Sequence, residues 1–194
     1  MQYPLQLTFK IWAIAPQILV NDSQGNLLFY VRQKLFKLKE AITIFADTER
    51  TRPLYNINAD RIIDFSARYD FTDNDGKYIG AVKRRGLRSL WRARYDVFDG
   101  EENKFTIQEK NPWVKVADAL FAEIPVLGIF TGYVFNPIYL VSRPDGTVVM
   151  RLEKNASFLS RIFTIKPIDK IDEREEQQIL LSLIMMLLLE RTRG

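Results

Sequence analysis

A chain of 194 residues with 47% hydrophobic and 27% charged content reads as one globular domain over residues 1–194, long enough to bury a full core and too apolar to be disordered. It has no cysteine and no histidine, which excludes disulfides, thiol nucleophiles, imidazole bases and the usual zinc ligand sets. A net charge of +4 favours an anionic partner, and the lack of cysteine suits the cytoplasm.

The N-terminus, MQYPLQLTFKIWAIAPQ, lacks the basic start, continuous apolar run and small-residue cleavage site of a secretory leader, so none is expected. β-like runs follow at 6–11, 18–20, 27–32 and 41–46. Between Ile63 and Phe71, the residues Ile63, Phe65, Ala67, Tyr69 and Phe71 alternate with Asp64, Ser66, Arg68 and Asp70, the period of two expected of a half-buried strand. Further runs are predicted at 77–82, 91–97, 105–109, 138–142, 147–152 and 160–165. Three turns recur in one form: NDSQGN (21–26), DNDGK (73–77) and RPDGT (143–147) each carry an Asp or Asn and then Gly25, Gly76 or Gly146, followed by an apolar strand. Glycine supplies the positive φ of a tight hairpin and the Asp or Asn side chain bonds the turn backbone. The chain therefore reads as a meander of hairpins, and closure into a barrel would remove its open edges.

The basic stretch KRRGLRSLWRARY (83–95) holds Lys83, Arg84, Arg85, Arg88, Arg92 and Arg94. Strand alternation puts Arg88, Arg92 and Arg94 on one face, with Trp91, Ala93 and Tyr95 pointing inward, and the planar guanidinium fork suits phosphate oxygens. The plainer reading is that these arginines keep a barrel exterior soluble by pairing with Asp64, Asp70 or Asp96. DNDG opens like a calcium loop but lacks the later bidentate glutamate, so a hairpin turn is preferred. ALFAEIPVLGIFTGYVF (119–135) is apolar but broken by Pro125, Gly128 and Gly132, which suits a short helix leading into a buried strand rather than a membrane span.

The chain closes on ILLSLIMMLLLERTRG, apolar from Ile179 to Leu189 but for Ser182. At about 1.5 Å per residue this run covers roughly 16 Å, against about 30 Å of bilayer hydrocarbon, so no transmembrane span is expected. Asp172 and Glu175 have capping-box spacing, Glu173, Glu175 and Glu176 precede the run, and Arg191 and Arg193 follow it, so a helix is predicted over about 172–191. A helix apolar all round must be enclosed, and threading it through the barrel would fill the barrel's interior. Calcium at PIDKIDEREE (167–176) is the weaker reading beside helix capping.

This arrangement resembles the tubby-like superfamily, which includes the LURP-one-related proteins, the phospholipid scramblases and the tubby C-terminal domains. The resemblance is carried by ILVNDSQGNLLFYVRQKLFKLKEAITIFAD (18–47) and by FNPIYLVSRPDGTVVMRLEKNASFLSRIFTIKPID (135–169) followed by the apolar helix. It implies a mainly β fold, a closed antiparallel barrel of about twelve strands around a hydrophobic C-terminal helix. It also implies a non-enzymatic binding module, in the cytoplasm or peripheral at a membrane. The expected partner is an anionic phospholipid such as a phosphoinositide, on Lys83, Arg84, Arg85, Arg88, Arg92 and Arg94. A protein-interaction scaffold and a scramblase-like lipid handler are the alternatives, and nucleic acid ranks below them. No cofactor, catalytic residue or metal site is expected.

Overall fold

The computed structural model describes residues 1–10, 17–32, 41–61, 67–85, 93–110, 137–155 and 161–191. Twelve strands follow one another as β1 (Leu5–Lys10), β2 (Gln17–Asn21), β3 (Leu27–Arg32), β4 (Ile42–Phe45), β5 (Pro53–Ala59) and β6 (Arg68–Asp73), then β7 (Tyr78–Arg84), β8 (Arg94–Asp99), β9 (Glu102–Glu109), β10 (Ile138–Ser142), β11 (Val148–Asn155) and β12 (Arg161–Pro167). Each pairs antiparallel with its neighbours in sequence, and β1 pairs with β12, which closes the barrel. Closure leaves no edge, the outcome expected of so long a meander.

The expected strand between Ile63 and Phe71 is seen from Arg68 onward, with Tyr69 and Phe71 facing inward; Asp64 and its neighbours lie outside the described residues, as does the stretch 119–135. β5 has no counterpart among the predicted runs. Its sequence, PLYNINA, begins on a proline and carries two asparagines, both poor strand formers, and only Ile57 in it is fully buried. Its ladders to β4 and β6, and a hydrogen bond donated by Thr43 Oγ1 to Asn56 Oδ1 (3.0 Å), hold it extended.

The three Asp/Asn–Gly turns share one geometry. Gly25, Gly76 and Gly146 have φ of 87°, 81° and 91°, and each donates its N–H to the carbonyl three residues earlier, on Asp22, Asp73 and Arg143. A type I turn followed by a glycine in the left-handed region displaces the ladder by one residue, and such shifts fall at Val20/Asn21, Phe71/Thr72 and Val141/Ser142. Asp73 Oδ1 accepts the N–H groups of Asp75 and Lys77, so its carboxylate organises the hairpin.

Through the barrel runs α1 (Glu173–Arg191), every residue of which from Ile179 to Leu188 is buried. Its N-terminus is a reciprocal capping box: Glu175 N donates to Asp172 Oδ1 (2.8 Å) and Asp172 N donates to Glu175 Oε2 (3.1 Å). Replacing Asp172→Ala should destabilise the protein by about 1–2 kcal/mol, read as a lowered midpoint in urea at unchanged slope. Two buried polar residues of α1, Gln178 and Ser182, are both bonded. Gln178 Nε2 donates to the Ile79 carbonyl (2.7 Å) and Ser182 Oγ to the Gln178 carbonyl (2.7 Å). Helix and wall are in tight contact at Gly80, where an added Cβ would lie 3.0 Å from Gln178 Cγ and 2.9 Å from the Phe98 carbonyl oxygen.

Strand direction gives the barrel two unlike ends. The tight turns at 22–26, 47–52, 74–77, 100–101 and 143–147 all lie at the end where α1 begins, which we call the turn end. There Arg174 makes a two-point contact with Asp99 (2.9 and 3.0 Å), which holds the Asp99 carboxyl below the usual carboxylate range, and Arg143 bonds Glu175 (3.0 Å). The far end is where β1, β3, β5, β7, β9, β11 and α1 finish.

Candidate functional site

Alternation along β7 separates the basic run that the sequence presents as a block. Gly80, Val82 and Arg84 face inward and Lys83 outward, so Arg84 is a correction to the expected basic face: its side chain is 5% exposed. Inside the far end its guanidinium stands 3.7 Å from Glu190 Oε1 and lies over the Tyr95 ring at 5.8 Å. Tyr95 Oη donates to the same Glu190 oxygen (2.6 Å), and burial followed by the Glu190 charge pushes the phenol upward, keeping it a neutral donor. Arg84 therefore anchors the end of α1 to β7 and β8. Arg88 and Arg92 lie outside the described residues.

Arg85 and Arg94 do reach the exterior, where they line a groove of about 480 Å³ on the outer face of β8, β9 and β10. The cross-strand register builds it, with Arg94 opposite Gln108, Gln108 opposite Leu140, and Thr106 opposite Ser142. Lys110 borders it toward the far end, and Arg143 with Gly146 borders it at the turn end. Lys83 is outside this lining. Arg85 Nε donates to Asp96 Oδ2 (2.7 Å), Thr106 Oγ1 donates to Asp96 Oδ1 (3.1 Å), and Arg94 Nε stands 4.0 Å from Asp96 Oδ1. One buried carboxylate thus holds both arginines, which realises the expected pairing with Asp96. Arg68 pairs likewise with Asp70 (3.0 Å). Arg94 Nε and Asn103 Oδ1 are shielded from solvent with no hydrogen-bond partner among the described residues, and both belong to groove-lining side chains.

The arrangement offers guanidinium, ammonium, hydroxyl and amide groups to an anion. Thr106, Gln108, Lys110, Ser142 and Arg143 join the site without having been singled out from the sequence. The outward register of the predicted 105–109 and 138–142 runs is the only signal that could have suggested Thr106, Gln108 and Ser142.

The LURP-one-related family model matches residues 27–181. The chain belongs to the LURP-one-related family. That family is part of the tubby-like superfamily, and the twelve-stranded barrel around one C-terminal helix is the fold expected of it. Among solved structures, a protein from Arabidopsis thaliana, of LURP-one-related type, aligns with a TM-score of 0.52 at 16% identity, covering 100% of this chain and 94% of its own. At that identity the likeness concerns the fold alone. A porin-like protein from Bacteroides uniformis aligns over 84% of this chain and 95% of its own at 9% identity, with a TM-score of 0.22, too low to carry any argument. No curated protein matches the sequence. No helix among the described residues is long and apolar enough to cross a membrane.

Proposed function

We propose that this LURP-one-related barrel acts by binding rather than catalysis, and that its outer groove takes the phosphate-bearing headgroup of an anionic phospholipid at a membrane surface. The observation that carries the reading is the convergence of Arg85, Arg94 and Lys110 on one groove lined by Thr106, Gln108 and Ser142. Guanidinium groups meet phosphate oxygens with paired N–H donors, the planar fork that suits a headgroup phosphate. Against catalysis stands the chain's lack of histidine and cysteine, which leaves carboxylates as its ordinary acid–base groups.

Co-sedimentation with phosphatidylcholine vesicles, with and without phosphatidylserine or a phosphoinositide, tests the proposal. The wild type should bind only the anionic vesicles. Arg85→Glu/Arg94→Glu should lose at least about 30-fold in partitioning, since each basic group near an anionic surface contributes about 1 kcal/mol. Equal binding to neutral vesicles, or none to either, would refute it. A protein partner is the second reading, and Asp96 favours it: the arginines already hold a carboxylate, the chemistry an acidic protein surface presents.

A further inference from the structure

The two ends of the barrel differ sharply in charge. The turns and the entry to α1, residues 21–26, 47–52, 73–77, 99–102, 143–147 and 168–176, hold fourteen Asp and Glu against six Lys and Arg. The whole chain nevertheless carries +4, so the excess positive charge lies elsewhere. Much of it stands around the far end. Lys10, Arg32 and Lys110 stand at or just beyond the last residues of β1, β3 and β9, Arg61 and Arg85 just past β5 and β7, and Arg161 at the first residue of β12; all six are exposed. Asp60, exposed at the same end, is paired with Arg61 at 3.3 Å, while Glu109 is buried and Glu190 faces inward to Arg84 and Tyr95.

Barrel closure makes this a rim. Because the strands run antiparallel and β1 meets β12, positions far apart in the sequence come to surround one opening. We propose that the barrel docks end-on, its far rim against an anionic membrane surface and its acidic turn end pointing away. This rests on the lipid reading above and adds the orientation. Strands of four to eight residues, tilted as in a closed barrel, set the ends roughly 10–20 Å apart. At physiological ionic strength charges are screened over about 8 Å. A membrane against the rim is therefore attracted by the basic ring and screened from the carboxylates, whereas a barrel lying on its side would bring both to the surface. Arg85 and Lys110 belong to the rim and to the groove, so end-on docking opens the groove toward the headgroups.

A cysteine-free chain allows single labelling sites. An environment-sensitive fluorophore on Gln17→Cys, at the start of β2 on the far rim, should shift to the blue and be quenched by lipid-borne quenchers on phosphatidylserine-containing vesicles. The same label on Gln24→Cys, in the first turn of the opposite end, should not change. Lys10→Glu/Arg32→Glu/Arg161→Glu, none of them in the groove, should reduce vesicle partitioning at least 30-fold while leaving the melting curve unchanged. If this variant binds like the wild type while Arg85→Glu/Arg94→Glu does not, the groove reading stands and end-on docking is refuted. Quenching of both labels, or of the turn-end label alone, would also overturn the orientation. A wild-type chain that binds neither vesicle refutes both.

Discussion

Ile184→Asp should leave a chain without a cooperative unfolding transition at room temperature. Ile184 is 1% exposed, in the middle of a helix whose circumference is buried on all sides. Removing it forfeits about 1.5–3 kcal/mol of apolar burial, and the new carboxylate adds a desolvation penalty of several kcal/mol, with no cation in the buried stretch Ile179–Leu188. Domains are stable by only about 5–15 kcal/mol, so the two losses together consume most or all of that margin. Soluble yield and a thermal melt followed by circular dichroism provide the check, with Ile184→Leu as the control that should cost less than about 1.5 kcal/mol. A soluble Asp variant melting like the wild type would mean that α1 is not the core of the barrel. Truncation after Asp172 probes the same point, since a barrel emptied of its helix should aggregate.

Gly80→Val should destabilise the barrel wall although it adds a good strand former. Glycine is ordinarily a weak strand former, and valine at such a position would usually stabilise. Here even a Cβ would approach the Phe98 carbonyl oxygen to 2.9 Å and Gln178 Cγ to 3.0 Å. The Gln178 side chain cannot easily yield, because it donates to the Ile79 carbonyl, and the Phe98 oxygen is backbone in the adjoining strand. Overpacking of this kind costs about 1–3 kcal/mol and more when backbone must move, so a loss of about 3 kcal/mol is expected. In a domain of this size that lowers Tm by roughly 6–12 °C. A rise in Tm would show that the helix is not held against β7 at this point.

Several features were legible along the chain. The period of two marked β6 and β8 because one face of each is buried, and the Asp/Asn–Gly turns marked three hairpins because few other residues adopt that backbone. The box of Asp172 and Glu175 closed as its spacing predicts, because both partners lie within one helical turn. β5 carries no strand signal because its residues have little strand preference, and its conformation is imposed by β4 and β6. Arg84 stands between Lys83 and Arg85 in the chain, but neighbours on a strand face opposite ways, and it pairs with Glu190, over a hundred residues away in sequence.

A hairpin meander with an apolar helix to enclose follows from local order alone, because periodicity, turn chemistry and helix caps act over a few residues. Which charges stand together is set by strand pairing in the folded barrel. The groove needs Arg94 beside Gln108 and Gln108 beside Leu140, a consequence of register across three strands. The basic rim needs the direction of every strand and the closure of β1 on β12. Electrostatic recognition depends on distance in space, and in a closed barrel that distance is set by strand pairing rather than by separation along the chain.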